Sequence, residues 1–338
     1  MMSREPVIEA ENLSIGYRDG NKTRQRLYKG MTFSLYQGEM TCLLGPNGSG
    51  KSTLLRTLGA SQPALSGTLR LQGKPLSKYS AVEISRKIGL VLTDRTLAGG
   101  LRVRETVSLG RYPYTGFFGR LSSEDEKVVD YSLDRVGISY KASDYFSELS
   151  DGERQKVMIA KALAQECPIV LLDEPTAFLD VPSRIEIMSL LRELAAVEKK
   201  TILFSTHDME QALLLSDRLW LLSRSDGLRS GVTEDLVLSG AVSKLFLQSS
   251  VSFDVSTGSF FPQYKVYRKA AVTVPDDMAF WVRNCLMRAG YECFPAGTPD
   301  TDIELLFVSP EDICLKYGEK ELSFSSFAAL KTTLGDLF

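Results

Sequence analysis

The sequence has few of the residues from which metal and redox sites are commonly built. It has one histidine, His207, and five scattered cysteines, none of which has the C-x-x-C spacing of a zinc or thiol-redox motif. A single imidazole excludes a metal site with several histidine ligands, and we interpret the cysteines as reduced thiols of a cytosolic protein. The cysteines are Cys42, Cys167, Cys285, Cys293 and Cys314.

An excess of charge and long apolar runs are also missing. The formal net charge of the 338 residues is −2, so the composition predicts neither nucleic-acid nor acidic-lipid binding. No stretch approaches the roughly 20 apolar residues that span a bilayer. No apolar run follows the Met-Met-Ser-Arg-Glu start, so we also expect no signal peptide. The length allows one large and one small domain.

Strand-like and helix-like segments alternate through the middle of the chain. "PIVLLDEP" (168–175) and "TILFSTHD" (201–208) contain continuous apolar runs, which are typical of strands buried on both faces of a parallel sheet. Between them, "SRIEIMSLLRELAAVEKK" (183–200) has the three-and-four apolar spacing of a helix. This alternation predicts an α/β fold with a parallel sheet.

A glycine-rich loop follows another predicted strand. "GPNGSGKS" (45–52) fits the phosphate-loop pattern G-x-x-x-x-G-K-[ST] and precedes a predicted helix. In such loops the backbone N–H groups and the helix N-terminus point at phosphate oxygens, whereas a chance glycine turn is the alternative. We expect Lys51 to reach the β- and γ-phosphates and Ser52 to bind Mg²⁺. The candidate nucleotide-binding residues are Gly45, Pro46, Asn47, Gly48, Ser49, Gly50, Lys51, Ser52 and the adjacent Thr53.

Two acidic residues end the buried run of 168–175. Asp173 is placed to hold Mg²⁺ directly or through water, because it lies at the carboxyl end of a predicted parallel strand. Glu174 could orient and deprotonate an attacking water. The alternative is a solvated pair of acids at a strand end.

The segment "LSDGERQ" (149–155) has two interpretations. Ser150 and Glu153 fit the capping box S-x-x-E, which would make the segment a structural helix start. A capped helix N-terminus that contains a glycine is also an anion site. The segment alone leaves both interpretations open.

Taken together, the motifs resemble those of an ATP-binding cassette (ABC) ATPase. The resemblance rests on 45–53, "LSDGE", "LLDEP", "AFLD" and "STHD", in this order and spacing, and covers about residues 6–248. It implies a P-loop NTPase cassette with a mixed sheet core, an antiparallel β subdomain and a helical subdomain at about 95–165. It also implies ATP and Mg²⁺ as cofactors and a second copy of the chain as the partner in an ATP-sandwich dimer.

The resemblance assigns roles to individual residues. Tyr17 is similar to the aromatic residue that stacks on adenine. Ser150 and Gly152 are similar to the signature residues that touch the γ-phosphate held by the other subunit. Asp180 resembles the aspartate at the dimer seam, and His207 resembles the switch histidine that contacts the γ-phosphate. With Lys51 and Glu174, His207 completes the expected catalytic set.

Two positions depart from the family pattern. Asp151 stands where the signature usually has glycine, and we expect activity to survive because a first-turn side chain can point away from the phosphate. Asp94 stands in the segment that usually carries the Q-loop glutamine. Its carboxylate is a candidate Mg²⁺ ligand, which we expect to contact the ion through a water because aspartate is one methylene shorter than glutamine. A surface pair between Asp94 and Arg95 is the alternative.

Further segments resemble the importer ATPases for iron–siderophore, haem and cobalamin. They are 105–138, 149–165 and 231–246. This resemblance implies an integral membrane permease as partner, a substrate-binding protein as indirect partner, and a peripheral location at the cytoplasmic face of the inner membrane. The alternatives are an ABC ATPase of a different importer or exporter, or an ABC switch outside transport.

Residues 249–338 lie beyond the expected end of the cassette. They begin in a Ser/Gly/Phe-rich connector and continue with predicted strands over 263–274, 302–310 and 312–324 and predicted helices over 276–290 and 326–338. We expect a small α/β domain that regulates the cassette or stabilises its dimer. A packed extension without a signalling role is the alternative.

Overall fold

The computed structural model describes residues 5–19, 22–92, 100–116, 119–245, 251–255, 257–262 and 264–336. The chain divides into two compact units. The first comprises Met1–Ser249 and Phe253–Phe260, and the second comprises Ser250–Ser252 and Phe261–Phe338. In the described ranges, no helix combines the length and the apolar character that crossing a bilayer would need.

The first unit alternates strands and helices after an initial strand pair. Its strands are β1 (Pro6–Asp19), β2 (Lys22–Tyr36), β3 (Met40–Leu44), β4 (Ser66–Leu71), β5 (Lys74–Pro75), β6 (Ile88–Val91), β7 (Ile169–Asp173), β8 (Thr201–Ser205), β9 (Arg218–Ser223) and β10 (Gly227–Val232). Its α-helices are α1 (Lys51–Leu58), α2 (Ala81–Ser85), α3 (Val103–Ser108), α4 (Ser123–Arg135), α5 (Asp151–Ala164), α6 (Val181–Ala196), α7 (Met209–Leu215), α8 (Thr233–Leu238) and α9 (Ala241–Lys244).

The strands of this unit form two sheets in the described part of the chain. One is antiparallel, in the order β2-β1-β4-β5. The other has the order β10-β9-β3-β8-β7-β6, in which every neighbouring pair is parallel except β9 and β10. The antiparallel β subdomain that the resemblance implies and the predicted parallel sheet are therefore both observed.

The central strands are buried on both faces, as their continuous apolar runs predict. Every residue of β3, β7 and β8 is buried. Because side chains alternate across a strand, Val170 and Leu172 join one hydrophobic cluster while Ile169 and Leu171 join the other. The first cluster includes residues of α3, α4, α5 and α6. The second includes residues of the antiparallel sheet, with the rings of Phe33 and Trp220 only 4.5 Å apart.

The parallel strands carry three loops to the same edge of the sheet. β3 leads into the glycine-rich loop and α1, β7 ends at Asp173, and β8 ends at Ser205. The register pairs Asp173 with Ser205 and Ser205 with Leu43, so the strand ends are level. The loops that follow these strands therefore start side by side.

The second unit is a small α/β domain with its own core. The two-stranded sheet of β11 (Val251–Asp254) and β12 (Ser259–Pro262) has residues in both units. The rest of the second unit consists of β13 (Arg268–Thr273), α10 (Asp276–Arg288), β14 (Tyr291–Pro295), β15 (Ile303–Ser309), β16 (Asp312–Tyr317), β17 (Lys320–Phe324) and α11 (Phe327–Asp336). The sheet order is β14-β13-β15-β16-β17, with β13 parallel to β14 and β15 and the remaining pairs antiparallel.

Four details of this region differ from the sequence-based expectation. The strand expected over 312–324 is observed as the two antiparallel strands β16 and β17. The strand expected over 263–274 is observed over Arg268–Thr273, and the strand β14 was not predicted. The expected connector contains the hairpin of β11 and β12. β14 begins directly after Gly290, which follows helix α10. In its sequence, YECFP, Glu292 is the one charged residue and two apolar residues, Cys293 and Phe294, are adjacent, so the strand lacks a clear alternating pattern.

The alternation along β15 yields a stability prediction for the second unit. Leu305 is 2% exposed in the core of this unit, whereas the adjacent Leu306 is 47% exposed on the opposite face. We expect Leu305→Ala to lower the free energy of unfolding of this unit by about 3 kcal/mol, because the substitution leaves a cavity. Leu306→Ala should cost less than about 1 kcal/mol.

Hydrogen exchange of the β13, β15 and β16 amides, together with urea unfolding, measures both effects. The two variants remove the same atoms from neighbouring positions, so each controls for the other. Equal losses would contradict the burial difference between the two leucines.

Candidate functional site

The glycine-rich loop has a backbone shape that requires its glycines. Gly48 and Gly50 have positive φ angles of 69° and 96°, which side-chain-bearing residues rarely adopt. A Cβ on Gly45 would lie 2.5 Å from the carbonyl oxygen of Leu222. The loop therefore curls tightly between β3 and α1, where the α1 N-terminus adds the positive end of its dipole.

Lys51, the first residue of α1, lies inside this loop. Its side chain is only 6% exposed, and its Nζ donates to the carbonyl oxygens of Gly45 at 2.8 Å and Pro46 at 3.3 Å. Burial lowers the pKa of Lys51, and the carboxylates of Glu174 and Asp173 raise it in part. Because both carboxylates act on the amine electrostatically, the amine lies near Asp173, the last residue of β7, and Glu174, the residue after it.

Tyr17 lies beside the first turn of α1. Its hydroxyl is 3.0 Å from the Oγ1 of Thr53, and its side chain is 42% exposed. This hydrogen bond holds the Tyr17 ring next to the loop, and the exposed part of the ring is open to a stacked base. Thr53, itself a candidate nucleotide-binding residue, is the partner of the Tyr17 hydroxyl.

The two acids at the carboxyl end of β7, Asp173 and Glu174, have different environments. Asp173 is buried, and its Oδ1 accepts a 2.7 Å hydrogen bond from the Ser205 hydroxyl. Glu174 is half-exposed by comparison and has a φ of 52°, in the left-handed region. Its backbone N–H donates to the same Ser205 oxygen at 3.0 Å, and its Oε1 lies 2.5 Å from Nε2 of His207. The candidate base and the candidate switch histidine are therefore in direct contact.

The LSDGE segment forms the capping box that its sequence predicts. Ser150 is the N-cap of α5, and its hydroxyl accepts from the Glu153 N–H while Glu153 accepts from Ser150. These hydrogen bonds, the backbone one first, lower the pKa of Glu153. The carboxylate of Asp151 lies 3.3 Å from the Arg154 guanidinium, one turn along the helix. Within the described residues, the side-chain hydrogen bonds of Ser150 go to Glu153 alone.

Gly152, near the start of α5, lies close to Leu179, the residue before Asp180. Asp180 is the N-cap of α6 and accepts a 3.1 Å hydrogen bond from the Ser183 N–H. Hydrogen bonding to Ser183 lowers the pKa of Asp180. A Cβ on Gly152 would lie 3.3 Å from Leu179, so this glycine allows the start of α5 to pack closely on the Asp180 loop.

The described residues of the predicted site fall into two groups. Lys51, Asp173, Glu174 and His207 converge at the carboxyl ends of β3, β7 and β8. Ser150, Gly152 and Asp180 form a second group at the starts of α5 and α6. Asp94 lies outside the described residues, as do Phe117 and Phe118 of the segment 105–138. In that segment Tyr112 is 72% exposed.

The donors near the glycine-rich loop fit Mg²⁺. Asp173 offers a carboxylate and Ser52 a hydroxyl, and both are hard oxygen ligands. Among the residues that the structure describes, no group of three or more His, Cys, Asp or Glu converges as a metal site. Mg²⁺ commonly takes one or two protein oxygens and fills its other positions with phosphate and water, so this small donor set suits it.

Ser205 is the residue of this site that the sequence analysis missed. It stands in the quoted "STHD" segment, two residues before His207, but received no role. A hydroxyl at the end of an apolar strand, level with an acid on the neighbouring strand, is the signal that could have identified it. Only the strand pairing makes that signal specific.

Family comparison places the chain among transport ATPases. The family model described as "ABC transporter" matches residues 28–177. A second model, described as "AAA domain, putative AbiEii toxin, Type IV TA system", matches residues 144–211. Both matched ranges include Asp173 and Glu174.

Curated relatives carry transport names. The chain is 37% identical to an uncharacterised ABC transporter ATP-binding protein of Methanocaldococcus jannaschii, over 75% of this chain and 86% of the relative. It is 35% identical to the ferric enterobactin transport ATP-binding protein of Escherichia coli, over 71% of this chain and 86% of the relative. It is 34% identical to the cobalamin import ATP-binding protein of Halobacterium salinarum, over 67% of this chain and 56% of the relative.

Solved structures with a similar fold include two transport cassettes. One is a putative metal-chelate type ABC transporter in an inward-facing conformation, with a TM-score of 0.61, 29% identity, and coverage of 77% of this chain and 99% of that chain. The other is a dimeric ATP-binding cassette in a post-hydrolysis state with ADP and phosphate, with a TM-score of 0.60, 28% identity, and coverage of 67% and 98%.

The capping box at Ser150 can be separated from a role in nucleotide contact. Ser150→Ala and Ser80→Ala each remove the hydroxyl of a Ser-x-x-Glu capping box, at α5 and α2 respectively. We expect each variant to lose about 1 kcal/mol of stability. If Ser150 also donates to a γ-phosphate, Ser150→Ala alone should lose about a hundredfold in ATP turnover. Steady-state ATPase assays and thermal melts measure both quantities, and similar turnover in the two variants would restrict Ser150 to capping.

Proposed function

This chain belongs to the ABC transporter ATP-binding family, and we propose that it powers import of an iron complex (siderophore or haem) or cobalamin through a partner membrane permease. The chain is the ATP-hydrolysing subunit, as its motifs predict. The cargo proposal rests on the relatives, whose names include ferric enterobactin transport and cobalamin import. The structural support is for ATP hydrolysis, and it is the convergence of Lys51, Glu174 and His207 at one edge of the sheet.

The proposed reaction starts with ATP bound to the glycine-rich loop. The loop N–H groups and Lys51 hold the phosphates, and Tyr17 stacks on the base. Mg²⁺ held by Ser52 and Asp173 would neutralise phosphate charge. Glu174 accepts a proton from the attacking water, and His207, whose Nε2 lies 2.5 Å from the Glu174 carboxylate, orients the water and the γ-phosphate.

The proposed working unit is a dimer of two copies. Ser150 and Gly152 of one copy would close on the nucleotide of the other, with Asp180 at the seam. The Asp151 carboxylate lies by Arg154 in the same helix turn, an arrangement that supports activity despite the departure from glycine. Hydrolysis removes the γ-phosphate contacts and opens the dimer, which is the movement that would drive the permease.

The location and the remaining partners follow from that role. We infer a peripheral position at the cytoplasmic face of the inner membrane, held by the permease, with a substrate-binding protein delivering cargo on the other side. The exposed Tyr112 is a candidate for the permease contact. For the second unit, which has its own hydrophobic core, we propose a regulatory or dimer-stabilising role.

Glu174→Gln tests the assignment of the base. The amide cannot accept the proton from water, so turnover should fall at least about a hundredfold while ATP binding persists and a stable dimer accumulates. ATPase assays and size-exclusion chromatography with ATP and Mg²⁺ measure the two effects. Glu210→Gln, an exposed change near His207, is the matched control and should behave like the parent. Near-parental turnover by Glu174→Gln would show that the base lies elsewhere.

Transport in vesicles tests the cargo. The permease that co-purifies with the tagged chain is reconstituted with its binding protein, and uptake of a ferric siderophore, haem and cobalamin is compared. We expect ATP-dependent uptake of one of these and its loss in the Glu174→Gln variant. An active complex that imports none of the three, or that exports its cargo, would contradict the proposal.

A further inference from the structure

One buried hydroxyl joins the two acids of the candidate site. Ser205 is 0% exposed at the end of β8. Its Oγ donates to Oδ1 of Asp173 at 2.7 Å and accepts from the backbone N–H of Glu174 at 3.0 Å. The hydroxyl's one proton and one of its lone pairs are therefore both used within the site.

The strand pairing is what makes this geometry possible. β7 and β8 are parallel neighbours, and their register places Ser205 opposite Asp173. A side chain at this position can reach the carboxylate of the facing residue and the peptide group that follows it. The same strand end continues into His207, so Ser205 lies between the acids and the histidine along the chain.

The hydrogen bond to Glu174 supports an unusual backbone conformation. Glu174 has a φ of 52°, a left-handed value that a non-glycine residue adopts only when its surroundings hold it there. In this conformation the N–H of Glu174 turns to the Ser205 oxygen, and the Glu174 carboxylate meets His207. Loss of the hydroxyl would leave that N–H without its partner.

We propose that Ser205 is a positioning residue for ATP hydrolysis, whose hydroxyl orients the Asp173 carboxylate and the peptide turn that carries Glu174. The inference rests on the proposed roles of Asp173 and Glu174. One oxygen of Asp173 is held by Ser205, and the carboxylate plane is thereby set for an Mg²⁺ contact. A hydroxyl that serves only to satisfy the strand end is the structural alternative, and it would affect stability without changing the chemistry.

Comparison of Ser205→Thr with Ser205→Val isolates the effect of the hydroxyl group. Threonine and valine have nearly the same shape, and only threonine keeps the donor and acceptor. Ser205→Ala removes the hydroxyl without adding a methyl group, so it covers the case in which the larger side chains do not fit this buried position. Thr201→Val is the matched control, because Thr201 is also buried on β8 and its hydroxyl has no partner among the described residues.

The expected result is a loss of turnover without a loss of ATP affinity. Ser205→Val and Ser205→Ala should have a kcat about 10 to 100 times lower than Ser205→Thr, because displacement of catalytic groups by less than 1 Å has effects of this size. The KM for ATP should stay within about threefold, since the loop that holds the phosphates is unchanged. Thr201→Val should match the parent in both constants.

Binding provides a readout that does not depend on turnover. The Mg²⁺ concentration that half-saturates binding of a fluorescent, non-hydrolysable ATP analogue should rise about three- to tenfold in Ser205→Val and Ser205→Ala, but not in Ser205→Thr. A purely structural role would lower the melting temperature and leave this concentration unchanged.

The outcomes distinguish a failure of the positioning role from a failure of the proposed function. Equal kcat and equal Mg²⁺ dependence in folded Ser205→Ala and the parent would overturn the positioning role. A kcat loss shared by Ser205→Thr, at an unchanged melting temperature, would also overturn it, because the hydroxyl is retained there. Absence of ATPase activity in the parent chain would instead overturn the proposed function.

Discussion

The parallel alignment of β3, β7 and β8 is the constraint on which the candidate site depends. Each strand alone ends in a short polar loop, and these loops are far apart in the sequence. Because the strands are parallel neighbours in register, their carboxyl ends meet, and Lys51 comes to lie beside Asp173 and Glu174. The burial of the strands on both faces makes that register costly to shift, since a slip by one residue would exchange the two cores.

The site also shows how a buried charge is tolerated at this edge. Lys51 is buried, which opposes its charged form, but two loop carbonyls accept from its amine and two carboxylates lie near it. Asp173 is buried with the Ser205 hydroxyl as a donor. The polar groups therefore position one another through contacts within the chain, which is the preorganisation that catalysis requires. The proposed catalytic groups and the packed strand ends coincide, so we expect substitutions here to affect both turnover and stability.

Much of the site was predictable because its motifs are local. The glycine-rich loop needs particular glycines, a lysine and a serine within eight residues, and the capping box needs Ser150 and Glu153 three positions apart. Such requirements can be read without knowing the fold. The predicted cassette fold is confirmed by the similarity to solved cassettes. The assigned roles of the site residues, including Asp94 outside the described ranges, stay predictions.

The sequence by itself determined the local chemistry: the phosphate loop, the acids after an apolar run, the single histidine, and the helix starts. Only the tertiary structure decided which of these groups touch. It placed the Glu174 carboxylate against His207 and the Tyr17 hydroxyl beside Thr53. It also gave Ser205 two partners, Asp173 at the end of β7 and the N–H of Glu174 just beyond it. The physical reason is that hydrogen bonds between strands depend on register and on backbone conformations such as the left-handed turn at Glu174. Neither is encoded in the spacing of residues along one segment.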